Sequence, residues 1–411
     1  MNILLIHQNF PGQFRHLAQH LVRQGGHQIL AIGQRDAPPI AGVRYLRYQP
    51  KRTPRPGTHP YLIGMEQAVL AGQAVLELML QLRQQGWRPD VIVSHPAWGE
   101  TLYAKDAWPD VPLVHFAEFY YHAEGADVGF DPAEPLTMDV RARLRTRNAL
   151  HLLNLEAADA VVSPTHWQKS VHPLAYQPRI EVIHEGVDTD AARPDPQAVF
   201  TLPDGRELRP GDPVITYVSR NLEPYRGFPQ FLRALEKIQA VRPDVQALVI
   251  GADGVSYGQP PKDAPNWRTQ LCGQLRLDPA RTHFLGQIPH ARYLQALQVS
   301  AVHAYLTVPF VLSWSMLEAM ACGCLVVASD TAPVREVIAP GRDGLLFDFH
   351  DVDAQVALLL DALDRPEHHR PLRAAATEHV RQAYSIAQGN VQWQALLQRL
   401  THDHRYQNRP R

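Results

Sequence analysis

The residues best suited to charged-group chemistry lie in two stretches of the C-terminal half. Ser219-Arg220-Asn221-Leu222-Glu223-Pro224-Tyr225-Arg226-Gly227 follows an apolar run, Val214–Val218, and places two guanidinium groups around a turn. Arginine is planar and permanently charged, and its fork can meet phosphate oxygens bidentately. Two arginines at a strand end therefore suit a diphosphate. In isolation they read equally as surface arginines on a loop.

The second stretch is Phe310–Ser329, FVLSWSMLEAMACGCLVVAS. It reads as loop, helix, glycine turn and buried strand. Ser313 or Ser315 can cap the helix, and Ser315-Met316-Leu317-Glu318 fits a capping box. On that reading Glu318 only ties down its own helix start. The free N–H groups of such a terminus also form an anion site, reinforced by the helix dipole. A carboxylate one turn inside can then accept hydrogen bonds from a ribose.

Other reactive residues divide less cleanly. In the N-terminal half, HFAEFYYHAEG follows the strand-like Leu113–Phe116 and offers His115, Glu118 and His122. Gly12 sits where a first strand turns into a helix, so it either admits a ligand close to the backbone or only makes the turn tight. Asp188-Thr189-Asp190 and Asp351-Val352-Asp353 have the Asp-x-Asp form of metal-dependent transferases but lack the strand context, and read as loop acids. Cys272, Cys322 and Cys324 are too few and too poorly partnered for a disulfide framework or a metal site. They read as buried, inert thiols.

Such groups need elements to hold them. Ile3–Ile6, Ile29–Ile32, Val91–Val93, Leu113–Phe116 and Ala160–Val162 read as strands, with helices over Gln13–Gln24 and Glu66–Gln85 between them. The alternation restarts with strands at Val214–Val218, Ala247–Ile250, His283–Leu285, Ala301–Tyr305 and Leu325–Ala328. Helices Pro229–Val241, Tyr293–Gln298 and Ser315–Cys322 lie among these. Strand–helix alternation predicts parallel sheets covered on both faces. Two doubly wound α/β domains around one cleft follow, with ligands beyond the carboxyl ends of the strands. The predicted division is 1–190, a Pro-rich linker or loop over 191–212, and 213–380, with a last helix within 381–411.

The 411 residues are 45% hydrophobic and 20% charged, ordinary for a folded protein of two or three domains. A formal net charge of −1 supplies no global field toward nucleic acid or membrane. Basic residues cluster only locally, at Arg44–Arg55 on a Pro-rich loop and at Arg141–Arg147 on a helix. Each reads as solvated surface or, alternatively, as a docking patch for an anionic acceptor or membrane. The start, MNILLIHQNF, lacks the basic and long apolar regions of a signal peptide, and no segment reads as a bilayer span. A cytoplasmic protein, with peripheral inner-membrane contact through the basic patches as an option, is the expectation.

The ordered set of motifs resembles glycosyltransferase family 4, of the GT-B fold. Ser219-Arg220-Asn221-Leu222 and Arg226-Gly227 stand where the family has Gly-Arg-Leu and Lys-Gly. Glu185-Gly186-Val187-Asp188 is similar to its Asn-Gly-Val-Asp, Glu318–Gly323 to its Glu-Ala-Met-Ala-Cys-Gly, and Gly341–Phe347 to its Gly-x-x-Gly-Leu-Leu. The likeness covers most of the chain after about residue 155. It implies two Rossmann-like domains facing a central cleft and a retaining transfer from a UDP- or GDP-sugar to a glycan, lipid-linked or small-molecule hydroxyl. It implies no cofactor and no metal.

The resemblance also implies roles. Arg220 and Arg226 would neutralise the donor diphosphate and act in catalysis, and Glu318 would hold the ribose. Backbone N–H groups at Ser313, Trp314 and Ser315 would complete the phosphate cradle, and Gly286 and Ile288 would lie against the base. Gly12 would line the donor site. Glu118, then His122, would be the catalytic groups of the first domain. The last helix would cross back onto that domain. One position departs: the first Glu of the family's Glu-x7-Glu falls on Phe310. That loss points to different sugar contacts, and it keeps open a nucleotide-sugar-binding subunit without turnover. A GT-B epimerase is the other alternative. The expected partners are the donor and a sugar or lipid-linked acceptor, with no nucleic acid.

Overall fold

A computed structural model describes residues 1–36, 38–132 and 136–407, with side chains through His402. The chain forms two units. The first comprises Met1–Gly186 with Ile386–Arg411, and the second Val187–Ser385.

The first unit is built on seven strands: β1 Asn2–Ile6, β2 Gln28–Gly33, β3 Val43–Arg47, β4 Val91–Ser94, β5 Leu113–Phe116, β6 Ala160–Ser163 and β7 Ile180–Val182. Their order is β3-β2-β1-β4-β5-β6-β7, parallel throughout. Strands covered on both faces need near-continuous apolar runs, and Ile3–Ile6 and Val91–Val93 supply them. Successive side chains alternate faces. Ile3 and Leu5 enter one core with Phe14, Leu17 and Leu21, while Leu4 and Ile6 enter the opposite one with Val75, Met79 and Leu82.

The first core includes the end of the chain. Helix Ile386–Gln407 brings Trp393, Leu396 and Leu397 into it, and the Trp393 ring packs on Phe14 and Phe116. The helix is thus an integral layer of the first unit.

The second unit carries a hairpin, β8 Phe200–Thr201 and β9 Glu207–Leu208, and then β10 Val214–Asn221, β11 Gln246–Ala252, β12 Thr282–Gly286, β13 Val302–Tyr305, β14 Leu325–Ser329 and β15 Leu345–Phe347. The six-stranded sheet runs β12-β11-β10-β13-β14-β15, again parallel. Two parallel sheets of doubly wound topology agree with the predicted fold class. In each, chain order reverses direction at one place: between β1 and β4, and between β10 and β13. Such switch points leave a crevice at the carboxyl ends of the strands.

Three expectations need correction. Residues 191–212 are no free linker, because Ala192, Ala198, Phe200, Leu202 and Leu208 are buried in the core of the second unit. The Arg44–Arg55 stretch is only partly loop, since Val43–Arg47 forms the edge strand β3. Charged residues on an edge strand also discourage edge-to-edge pairing. Finally, helix Ile63–Gln84 is long and apolar enough, by length and composition, to cross a membrane. Its apolarity has a local cause: Ala71, Val75, Met79 and Leu82 pack into the core of the first unit.

Replacing Trp393 by Ala should leave a cavity between the terminal helix and Phe14 and Phe116. We expect a loss of roughly 3–5 kcal/mol in the unfolding free energy of the first unit by urea denaturation. A loss below about 1 kcal/mol would show that the helix is not part of that core.

Candidate functional site

Arg226 is the central residue at the switch point of the second unit. The short turn Pro224–Arg226 follows β10, and Gly227 ends it in the left-handed region at φ 65°. A Cβ on Gly227 would stand 2.4 Å from the Leu306 side chain, so glycine lets this turn press against the segment after β13. Arg226 is thereby buried, with 7% of the residue exposed. Its Nη1 donates to Thr307 Oγ1 at 2.7 Å and to the Val311 carbonyl at 2.9 Å. It also lies 5.4 Å from the centre of the Tyr257 ring and 6.0 Å from that of Phe310. Among the described residues no carboxylate pairs with it. Arg220, at the end of β10, is exposed and likewise forms no ion pair among the described residues.

Two buried devices shape the surroundings. Glu223 is fully buried and accepts from the backbone N–H groups of Ser256, Tyr257 and Gly258 at 3.1, 3.2 and 2.9 Å. It fixes the loop that carries Tyr257. The Tyr257, Tyr225 and Phe310 rings then form a cluster, with Phe310 edge-on to both tyrosines at 5.0 and 5.3 Å. Phe310 is therefore a packed aromatic wall beside Arg226.

Helix Trp314–Ala321 begins at the N-cap Ser313. The Ser313 hydroxyl accepts from the Ser315 N–H at 3.3 Å, and the Ser313 N–H donates to Tyr305 Oη at 2.9 Å. Trp314 is exposed and Ser315 buried. The capping-box reading of Glu318 is not what forms. Its carboxylate instead accepts from Tyr293 Oη at 2.7 Å and bonds His290 Nε2 at 2.9 Å. Ser313 caps alone, so Glu318 is held at the rim by side chains of helix His290–Gln298. Gly286 closes β12 at φ 66° with open space where a Cβ would be, and Ile288 packs on the core behind it.

In the first unit the residues after β1, β4 and β5 meet at the other switch point. The His7 and His95 rings lie 5.1 Å apart, and His95 stacks on Trp98 at 4.8 Å. Gly12, at φ 45°, has no room for a Cβ, which would fall 2.4 Å from the His7 ring. The tight-turn reading of Gly12 thus has a definite cause in this histidine. Gln13 joins His7 Nε2 at 2.7 Å and donates to Glu118 Oε1 at 2.8 Å. Glu118 Oε2 lies 3.5 Å from His95 Nε2. Burial pushes the Glu118 carboxyl up, but the hydrogen bonds from His95 and Gln13 and the neighbouring His95 imidazole outweigh it and hold its pKa below the ordinary value. About a third of the side chain stays exposed.

The other histidines of HFAEFYYHAEG bond to backbone carbonyls. His115 is buried between Thr101 and the Asn154 carbonyl, and burial lowers its pKa to about 4. His122 spends Nε2 on the Val171 carbonyl at 2.5 Å and fastens its loop to the chain after helix His166–Ser170. Sequence reading missed His7, Gln13, His95, Glu223 and Tyr257. His7 and His95 each directly follow an apolar strand, which is the one signal that was available.

The remaining expectations resolve locally. Asp188 accepts from the Asp190 and Ala191 N–H groups and Asp351 caps a helix through Ala354, which accounts for both Asp-x-Asp pairs. Cys322 and Cys324 are buried, with the Cys324 thiol pushed up to about 12, but Cys272 is exposed, against expectation. Five of the nine cations in the basic stretches pair with carboxylates. Arg47 pairs with Asp36, Lys51 with Glu77, Arg52 with Glu66, Arg141 with Glu124 and Arg143 with Asp139. Arg147 lies over the Tyr121 ring at 3.6 Å.

Comparison with known proteins agrees with this layout. Residues 25–192 match the family described as Glycosyl transferase family 4 group, and residues 202–379 match Glycosyl transferases group 1. The chain is 28% identical over 339 residues to a D-inositol 3-phosphate glycosyltransferase of Nocardioides sp., covering 77% of this chain and 70% of that protein. Among solved structures, a sucrose-phosphate synthase from Thermosynechococcus elongatus superposes with a TM-score of 0.71 at 19% identity, over 98% of this chain and 100% of that one. Anabaena Alr3699/HepE in complex with UDP-glucose gives a TM-score of 0.69 at 16% identity, over 97% and 99%. At these identities the structures show a shared fold, GT-B.

Glu185, at the end of the first unit, gives a test of site electrostatics. It is buried, and burial pushes its carboxyl up to about 8, with its own backbone N–H opposing and the charge of Glu118 reinforcing the shift. The native state then keeps a proton that the unfolded chain releases near 4.5. Stability should fall as pH rises between those values and level off above about 8. Glu185→Gln should therefore raise Tm, by an increment that grows from pH 5 to pH 8. A pH-independent increment would contradict a protonated Glu185.

Proposed function

Given that this chain belongs to glycosyltransferase family 4 and is a GT-B glycosyltransferase, we propose that it is a retaining enzyme that transfers a sugar from a UDP- or GDP-sugar to a hydroxyl acceptor. The observation that carries the reading is Arg226, a buried guanidinium without a carboxylate partner among the described residues at the β10–β13 switch point, with the exposed Arg220 at the end of β10 likewise without an ion pair among them. An unneutralised buried cation is costly and is best balanced by an anion of matching geometry. A nucleotide diphosphate has that charge and shape.

In this reading Arg226 and Arg220 neutralise the diphosphate. Their effect is largest as the sugar–phosphate bond breaks and negative charge builds on the leaving oxygen, where preorganised charge can supply several kcal/mol. Glu318 receives the ribose hydroxyls, displacing or sharing the bond to the exposed His290. Trp314 and the Ser313 cap flank the phosphates. Two of the backbone N–H groups expected there are already engaged, so the side-chain cations carry most of the anion binding. Gly286 and Ile288 offer an open, half-buried shelf for the base. Charge neutralisation by two guanidiniums makes a metal dispensable. In the first unit Glu118, ionised and partly exposed, acts as base toward the acceptor or stabilises positive charge developing on the donor sugar.

The UDP-glucose bound by Alr3699/HepE supports a UDP-sugar as the first donor to test. The inositol phosphate acceptor of the Nocardioides relative supports a polar hydroxyl acceptor. Phe310 removes a carboxylate from the sugar end, so the donor sugar is gripped there by aromatic faces.

A thermal-shift screen of nucleotides and nucleotide sugars should show stabilisation by UDP or GDP compounds, since ligands that bind the native state raise Tm. Arg220→Ala, which alters an exposed residue, should leave Tm unchanged and cut kcat/KM by roughly 10²-fold or more. Turnover should persist in EDTA. Unchanged kinetics for Arg220→Ala and Arg226→Lys would sink the donor-site assignment, and nucleotide binding without any turnover would favour a binding subunit.

A further inference from the structure

We infer that Gln13, pinned by His7, is a positioning residue that fixes the orientation and the negative charge of Glu118. The inference rests on the reading of Glu118 as the charged group of the transfer. A chain of hydrogen bonds determines it without ambiguity. The Asn9 backbone N–H donates to His7 Nδ1 at 2.9 Å, so Nδ1 is an acceptor and the ring proton lies on Nε2. Nε2–H then donates to Gln13 Oε1 at 2.7 Å. An amide that accepts through Oε1 must present its NH2 on the other side, and Gln13 Nε2 donates to Glu118 Oε1 at 2.8 Å. Each link sets the direction of the next, beginning from a backbone group that cannot turn.

The surroundings hold the chain in place. Gly12 leaves the space that the His7 ring occupies, and the Phe14 ring meets His7 edge-on at 5.7 Å. Gln168 Nε2 donates to the Glu118 backbone carbonyl at 2.7 Å, so the carboxylate is anchored at both ends. Burial and the nearby His95 lower the His7 pKa to about 3, with Gln13 and Glu118 opposing. His7 therefore stays neutral over any ordinary assay range, and the direction of the chain does not reverse with pH. Protonation would place a hydrogen on Nδ1 and break the bond from the Asn9 N–H, the backbone link that pins the ring.

The groups facing Glu118 are His7 after β1, His95 after β4 and Gln13 between them, with Glu185 adding a carboxyl from the chain after β7. His115, His151 and His172 line, with His95 and Glu118, a cavity of about 40 Å³. Among these Gln13 alone is an uncharged, non-titrating donor to the carboxylate. A group that must remain an oriented anion is well served by such a donor, because it does not give up or take a proton during turnover.

The test combines kcat/KM against pH with a ¹³C NMR titration of the Glu118 carboxyl. In Gln13→Leu the lost donor should raise the Glu118 midpoint by roughly one pH unit. The acid limb of the kcat/KM profile should move up with it. His7→Phe keeps a ring in the same space but cannot pin Gln13, and should move both in the same direction by less. A uniform drop in turnover at all pH values, with the limb and the NMR midpoint unmoved, overturns the positioning role. If the NMR midpoint moves while Glu118→Gln turns over normally, the positioning stands and the catalytic reading of Glu118 falls.

Discussion

A buried guanidinium without a counter-carboxylate is the constraint around which the second unit is arranged. Among the described residues Arg226 meets hydroxyls, a carbonyl and aromatic faces. These neutral partners orient the side chain without cancelling its charge. Much of the local architecture follows from keeping it in that state. Gly227 gives the turn its close approach to Leu306, Thr307 and Val311 come from the segment after β13, and Glu223 holds the Tyr257 loop through backbone N–H groups. A buried cation left unpaired within its unit is expensive. The expense is sensible where an anionic ligand completes the balance.

The first unit applies the opposite sign at the equivalent place. Its switch point between β1 and β4 gathers Glu118 with two histidines, one kept neutral by burial. Family membership and fold establish a GT-B glycosyltransferase, and in the proposed reading the signs of the two charges divide its chemistry. Guanidiniums suit a departing diphosphate, while a carboxylate suits a developing sugar cation or an acceptor proton. The same topology thus positions both, because in each sheet the loops that follow adjacent central strands diverge and leave a crevice.

The architecture was legible because buried parallel strands need unbroken apolar runs, and those runs stand out at Ile3–Ile6, Val214–Val218 and Leu325–Ala328. Arg220, Arg226 and Glu318 stood out as candidates through their place beside such runs together with the resemblance to the family. What escaped notice depends on contacts between distant segments. Val43–Arg47 carries two arginines because it is an edge strand, and it looked like loop. Phe200 and Leu208 lie among prolines and glycine, which disguised a buried hairpin as a linker. Glu318 matched a local capping pattern, yet Tyr293 and His290 from another helix captured it. His7, Gln13 and His95 are single polar residues at strand ends or in the following loop, and nothing local tells that they converge on Glu118.

The most direct measurement is a crystal structure of the protein with UDP or a non-hydrolysable UDP-sugar. The account predicts diphosphate oxygens within hydrogen-bonding distance of both Arg220 and Arg226, and ribose hydroxyls on the Glu318 carboxylate. A nucleotide bound elsewhere, or a diphosphate that leaves Arg226 on its Thr307 and Val311 partners alone, would contradict it.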